Sequence, residues 1–517
     1  MYIGSLLLLA PALLINLGLL TFIDDEGIRS LVALEMDLSG NYIVPTLHGD
    51  FYYNKPPLFN WILLVFFKLA GVYNEWVARL PTVLALLGYG ATVFYFFQKH
   101  YSKRIAFLAA FLLITCGRVL FWDAMLALID ITFSWVMFTL FMVIFHQFER
   151  ERWWALFLIT YVLTAVGFLL KGLPALVFQA TTLLVYFTYR RSFRKLVSVP
   201  HTAGILVLAL LVGSYYFAYH QYNDLSVVFQ TLFSESTKRT VVQYGWLETV
   251  IHLFAFPFEM TYHFLPWSIM VLYLIRPDIL RLIRADRFQE FLLLTFLANI
   301  IVYWTSPEVY PRYLLMLAPL IFGVYLYLHA QHRREGSWAF RLIDRLFMLA
   351  CGAGGLLALL PFALERAQVV PLWWLKSLSL VLAFGLLFVA YLKWSGDRLL
   401  VLVVVLLVFR IGFDWFVLPD RNANDPAAMA RESSRRVGAS YRGKPLFVYG
   451  ETLMQPTNSF YLTQGRGSII PREMDTFKAG AHYIVDPEAY PGLNYQPVDS
   501  FFVRFGRRYF YVAEARE

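Results

Sequence analysis

Between residues 21 and 61 a very apolar chain turns polar, and it does so with residue types that move protons and hold anions. Asp25 and Glu26 follow Phe22-Ile23-Asp24, Glu35 comes next, and Lys55 stands directly before Pro56-Pro57. A positioned carboxylate takes a proton from a hydroxyl, or orients it. A positioned cation stabilises an oxygen that becomes negative as a bond breaks. Further groups of both signs recur in segments that share a side: Arg29, Asp123, Asp130, Lys171, Glu235, Lys238, Arg239, Glu308 and Arg312. Asp123 and Asp130, two helical turns apart, fall on one helix face. The plain alternative for each is an ion pair that pins a loop, and it is strongest for Lys238, Glu248 and Glu308. Charges near an apolar zone are costly, about 2.5–3.5 kcal/mol at the membrane centre, so they pair or line a wet cavity.

The elements that must carry these groups are membrane helices. Of 517 residues, 59% are hydrophobic, 18% aromatic and only 15% charged. A helix needs about 20 mostly apolar residues to span a bilayer. Such segments fall near 3–23, 76–97, 104–120, 124–148, 153–170, 173–189, 202–220, 262–276, 288–305, 313–329, 340–361, 371–392 and 399–418, about thirteen in all. The patches at 58–72 and 247–256 read as helices lying along the membrane surface. The N-terminal segment has no basic start and carries Pro11, so it reads as a retained first span. Lys and Arg cluster after every even-numbered span, at Lys103 and Arg104, Arg150, Arg190, Arg276, Arg333 and Arg398 among others. Basic loops are cytoplasmic, which puts 24–75 and the C-terminal part outside. The net charge of +9 is explained by this bias, and nucleic acid is not an expected partner. Cys116 and Cys351 lie inside apolar stretches and read as core residues. His252 and His263 lack partners at metal-ligand spacing.

From about Pro419 the character changes. A polar linker precedes a helix over 426–441, and 445–449, 482–485 and 501–512 read as strands, the last broken at Gly506. The expected architecture is a multi-span α-helical membrane domain, 1–418, followed by an extracytoplasmic α/β domain, 419–517.

Asp25-Glu26, Glu35-Met36, Ser39-Gly40-Asn41-Tyr42-Ile43-Val44-Pro45, Gly49, Tyr53 and Lys55-Pro56 resemble the first outer loop of bacterial lipid A aminoarabinose transferases. These are GT-C glycosyltransferases related to the protein O-mannosyltransferases. Weaker echoes run through Asp130, Lys171-Gly172, Glu235 with Arg239, Leu265-Pro266-Trp267 and Pro311-Arg312-Tyr313. The resemblance implies a polyprenyl-phosphate-linked sugar donor, used in the bacterial inner membrane on its periplasmic face, with a lipid or glycan acceptor. It implies Asp25 as the catalytic carboxylate, and Lys55, Arg239 and Arg29 as holders of the donor phosphate. Glu26, Asp130, Lys171, Glu235, Arg312 and Tyr313 are the implied substrate-binding residues. One acting carboxylate without a covalent intermediate implies inversion at the anomeric carbon. Three positions depart from the pattern: Ile28 stands where Arg is usual, Asn54 where an acid is common, and Ser236 where the aminoarabinose branch has His. The last two remove plausible metal ligands, so no metal or other cofactor is assigned. The alternatives are a protein O-glycosyltransferase of the same fold and, from another class, a lipid-linked sugar transporter or flippase. A transporter would show repeated halves with broken helices at the midplane, and neither is visible in the sequence.

Overall fold

The computed structural model describes residues 1–23, 25–237, 246–393, 396–474, 478 and 480–515. Among them, seven helices are long and apolar enough to cross a membrane, Glu75–Phe97, Ile129–Glu149, Trp153–Lys171, Val199–His220, Trp338–Ala363, Trp373–Lys393 and Arg398–Asn424. An eighth arises if the pair Lys103–Thr115 and Gly117–Met125, bent by 47°, is one span. Tyr2–Leu14 and Pro174–Tyr189 are shorter apolar helices. The count of about thirteen is therefore not reached on length and composition. One reason is local: the segment near 262–276 folds as a 3-10 helix, Trp267–Leu274, behind Pro266.

The basic exits gather at one end of the bundle. Arg104 pairs with Asp397 at 2.8 Å, Arg190 and Arg287 both reach Glu149, and Arg276 reaches Glu335 at 3.1 Å. Arg333 donates to the Gly396 carbonyl. These contacts join loops after segments two, four, six, eight, ten and twelve, as strict alternation of direction requires.

At the other end the first outer loop folds into a helix, Glu26–Ser39, and a hairpin, β1 (Thr46–Leu47) with β2 (Asp50–Phe51). His48 and Gly49 form the two-residue turn, both at positive φ (58° and 77°), the backbone a tight hairpin turn of this twist needs. Glu35 holds the turn: its carboxylate accepts from the His48 amide (2.7 Å), the Gly49 amide (3.2 Å) and the Thr46 hydroxyl (2.8 Å). Burial raises the pKa of Glu35, and these three bonds oppose the rise. Helix Leu58–Ala70 then buries Phe59, Leu63 and Phe67 on one face and leaves Val65 and Leu69 outward. It has the two-faced form of a helix lying in the interface.

The C-terminal part is an α/β unit with a five-stranded mixed sheet, in the order β4-β3-β5-β7-β6. These strands are β3 (Leu446–Tyr449), β4 (Arg472–Glu473), β5 (His482–Val485), β6 (Tyr495–Val503) and β7 (Arg508–Ala515). The last two form an antiparallel pair around Gly506, at φ 75°. Helix Ala427–Ser440 matches the expected one, while helix Pro456–Arg466 has no counterpart in the sequence reading. That second helix docks on the first outer loop. Tyr461 donates to Glu75 at 2.5 Å, Ser459 meets His48 at 3.1 Å, and Phe460 packs edge-on against Phe22.

Candidate active site

Four of the residues singled out by sequence converge at this end of the bundle. Asp25 is the N-cap residue of helix Glu26–Ser39, yet its side chain makes no capping bond. It faces Arg312 instead, at 3.7 Å. Arg312 lies in the 3-10 turn Pro311–Leu314 and is 6% exposed; its Nε is 3.5 Å from Asp130. Asp130 stands in the first turn of Ile129–Glu149, where the helix dipole favours a carboxylate. Its other oxygen accepts from Lys171 at 2.5 Å. Lys171 closes helix Trp153–Lys171, where the dipole favours a cation, and Gly172 ends it at φ 81°. Tyr313 stacks under the Lys171 ammonium at 3.9 Å, and Tyr310 under the Arg312 guanidinium at 4.6 Å. The sequence order is 25, 130, 171, 312; the spatial order is Asp25–Arg312–Asp130–Lys171. Beside it, Arg118 pairs with Asp123 at 3.0 Å, and Asp123 feels the charges of Asp130 and Arg312. The Gly117 amide bonds to the Leu265 carbonyl at 2.6 Å, which ties the Leu265-Pro266-Trp267 motif to this segment.

The remaining predicted residues have other settings. Lys55 is half-buried before the helix Leu58–Ala70, in the bend that follows the hairpin. Arg29 is 3% exposed and donates to the Tyr52 hydroxyl at 3.0 Å, three residues before Lys55. It braces that segment from inside the protein. Glu26 is fully buried, and both its oxygens accept from Arg79 and from backbone amides. Glu235 belongs to helix Ser226–Thr237, and Arg239 lies outside the described residues. Among the described residues no three His, Cys, Asp or Glu side chains converge as a metal site requires.

Sequence reasoning missed Arg79, Glu75 and Arg118. Glu75 accepts from Tyr461 and from Arg431 (3.1 Å) of the C-terminal unit. Arg79 passes as an ordinary boundary cation, and only its position one turn after Glu75, inside an apolar helix, marks it out.

Under helix Trp246–His263 an apolar cavity of about 230 Å³ is lined by Phe256, Met260, Trp304, Leu314 and Leu317. Leu314 is the last residue of the 3-10 turn that carries Arg312. The covering helix turns Phe254 and Phe258 outward, as an interfacial helix would.

An apolar helical bundle thus carries a charged row at one end, beside an outer loop clamped by a mixed-sheet unit. The comparisons give its particular form. The chain superposes along its whole length on the crystal structure of ArnT from Cupriavidus metallidurans bound to undecaprenyl phosphate, with TM-score 0.71 and 18% identity, covering 99% of that chain. The apo structure of the same protein gives 0.69, again at 18% identity, covering 98%. The fold is thus that of ArnT, including the C-terminal sheet. Residues 54–217 match the family model described as dolichyl-phosphate-mannose-protein mannosyltransferase. An uncharacterized protein of Aquifex aeolicus is 24% identical over 269 residues, 51% of this chain and 52% of the relative. A second from the same organism is 26% identical over 193 residues, 37% of this chain and 42% of the relative. The chain therefore spans about half the length of the curated relatives it matches.

Proposed function

We propose that this protein is an inverting glycosyltransferase that moves a monosaccharide from a polyprenyl-phosphate carrier to lipid A or a related envelope acceptor, on the periplasmic face of the bacterial inner membrane. The observation that carries the reading is Arg312 between Asp25 and Asp130, in a chain with the fold of ArnT. The apolar cavity lined by Leu314 suits part of a prenyl chain, and the cations of the row suit a phosphate that must stay at the membrane surface. In the reaction the acceptor oxygen attacks the anomeric carbon while the bond from that carbon to the phosphate oxygen breaks. The bonding pair leaves with the polyprenyl phosphate. Asp25, the more exposed carboxylate, takes the proton of a hydroxyl acceptor, or orients an acceptor that is already ionised. Lys55, with Arg239, stabilises the departing phosphate, and Asp130, Lys171, Arg312 and Tyr313 hold the sugar and the acceptor. Aromatic faces beside cations, as at Tyr313 and Tyr310, also suit a sugar ring.

A protein acceptor is the second reading, favoured by the family description matched over residues 54–217. A Ser or Thr hydroxyl needs a true general base, whereas a lipid phosphate acceptor is already ionised. The test is turnover by the full chain in nanodiscs with a panel of undecaprenyl-phosphate monosaccharides, mannose first, and lipid A as acceptor, read as release of undecaprenyl phosphate. Saturable release that is lost in Asp25→Asn is expected. If no panel member is bound or turned over, the reading is refuted. Mass comparison of envelope lipids and proteins in a deletion strain decides between the acceptors.

A further inference from the structure

Among the described residues, Glu26 and Arg79 form a buried charged pair whose hydrogen-bonding groups are all in use. The Glu26 carboxylate is fully buried and accepts four hydrogen bonds: from Arg79 Nε (2.8 Å) and Nη2 (2.9 Å), from the Ile23 amide (2.8 Å) and from the Ala127 amide (2.7 Å). Two carboxylate oxygens offer about four lone-pair positions, and all are in use. Arg79 spends its three remaining donors on the carbonyls of Leu17 (2.8 Å), Leu20 (2.9 Å) and Thr21 (2.9 Å), so its five N–H groups are satisfied as well. A sugar hydroxyl could be accepted here only by displacing one of these bonds.

The partners explain the arrangement. Leu17 to Thr21 is the exit of the first apolar segment. Ile23 and Glu26 flank Asp25. Ala127 lies on the segment that leads into Asp130. One buried carboxylate therefore joins the chain on either side of Asp25 to the chain before Asp130, across 101 residues of sequence. Buried ion pairs of this kind add little stability over an apolar pair of the same volume. What this one supplies is a fixed distance. Resting on the glycosyltransferase reading above, we infer that Glu26 and Arg79 are positioning residues that set Asp25 against Asp130 across Arg312. The external end of the same helix supports them, because Glu75, one turn before Arg79, is held by Tyr461 and Arg431.

The prediction is read with the full chain in nanodiscs and the undecaprenyl-phosphate sugar that the wild type turns over in the panel above. Glu26→Gln is expected to lower kcat about 10²-fold, the loss that a shift of about 1 Å produces, with KM unchanged within about twofold. In an Asp25→Asn background the same substitution is expected to cost less than about threefold, since no Asp25 geometry remains to be set. Equal losses in both backgrounds would make Glu26 merely structural and overturn the inference. A raised KM at unchanged kcat would make it a substrate ligand, with the same consequence. If Glu26→Gln does not fold, Glu26→Gln with Arg79→Met removes both charges and carries the same two-background comparison. A wild type that turns over no panel member fails the proposed function, whereas an active wild type with an unaffected Glu26→Gln fails this inference alone.

Discussion

Asp25→Asn replaces one carboxylate oxygen by an amide at a side chain that is 46% exposed and 3.7 Å from the Arg312 guanidinium. An ion pair that open contributes at most about 1 kcal/mol to stability, so the variant should melt close to the wild type. Its chemistry should suffer far more. Loss of a general base costs about 10²–10⁴ in rate, which at about 1.36 kcal/mol per factor of ten is roughly 2.7–5.4 kcal/mol of barrier. Asp130→Asn has the opposite balance. That carboxylate is 10% exposed and lies between Lys171 and Arg312. Neutralising it leaves two enclosed cations facing each other, and breaking such a buried pair costs about 3–5 kcal/mol. Turnover of the undecaprenyl-phosphate sugar and thermal melting, measured on both variants in the same nanodiscs, separate the two roles. The assignment fails if Asp25→Asn keeps more than about a tenth of wild-type turnover, or if it melts lower than Asp130→Asn.

Lys55→Ala should lower turnover about 10²–10³-fold, the loss typical of a transition-state donor, with a smaller change in affinity for undecaprenyl phosphate; titration with that lipid beside turnover checks the split. Gly27→Ala would place a Cβ 2.8 Å from the Thr457 amide nitrogen, so the C-terminal unit must shift, at about 1–3 kcal/mol; faster hydrogen exchange in helix Pro456–Arg466 is the expected readout. Burial first, and the Arg472 charge second, hold the His48 imidazole at a pKa of about 4, against 6.5 when unfolded. The stability this neutral ring contributes is complete above pH 6.5 and is lost as pH falls towards 4, at up to about 1.36 kcal/mol per unit. Between those pH values the wild type should therefore lose melting temperature more steeply than His48→Gln; parallel curves would refute it.

Much of the fold could be read from sequence because its signals are local. The basic exits repeat in strict alternation, and each pairs with a neighbour at one end of the bundle. The motif from Asp25 to Lys55 is contiguous, so it stands out from its surroundings. Asp130, Lys171, Arg312 and Tyr313 were named one by one, but nothing in their spacing shows Arg312 lying between two aspartates. The Glu26–Arg79 pair was hidden for the same reason, since its bonds cross 53 residues and each member looks like an ordinary boundary charge. The count of spans is not confirmed, in part because an apolar stretch such as 262–276 tightens into the 3-10 helix Trp267–Leu274. Helix Pro456–Arg466 was overlooked although Pro at its start and Gly467 after its end mark its limits; its mixed polarity reflects a helix that buries polar groups against another unit.

The docking of that helix has a consequence for biogenesis. Glu75 leaves the ribosome 386 residues ahead of Tyr461, the group that bonds it. At about 5–20 residues per second, roughly 20–80 s separate the insertion of the first outer loop from the arrival of its clamp. Throughout that interval the face of helix Glu26–Ser39 that Thr457 will cover is still bare. The protein therefore matures in a fixed order, with the membrane helices first and the sheet unit last. A chain stalled before residue 456 would hold every charged residue of the row without the lid that sets the loop.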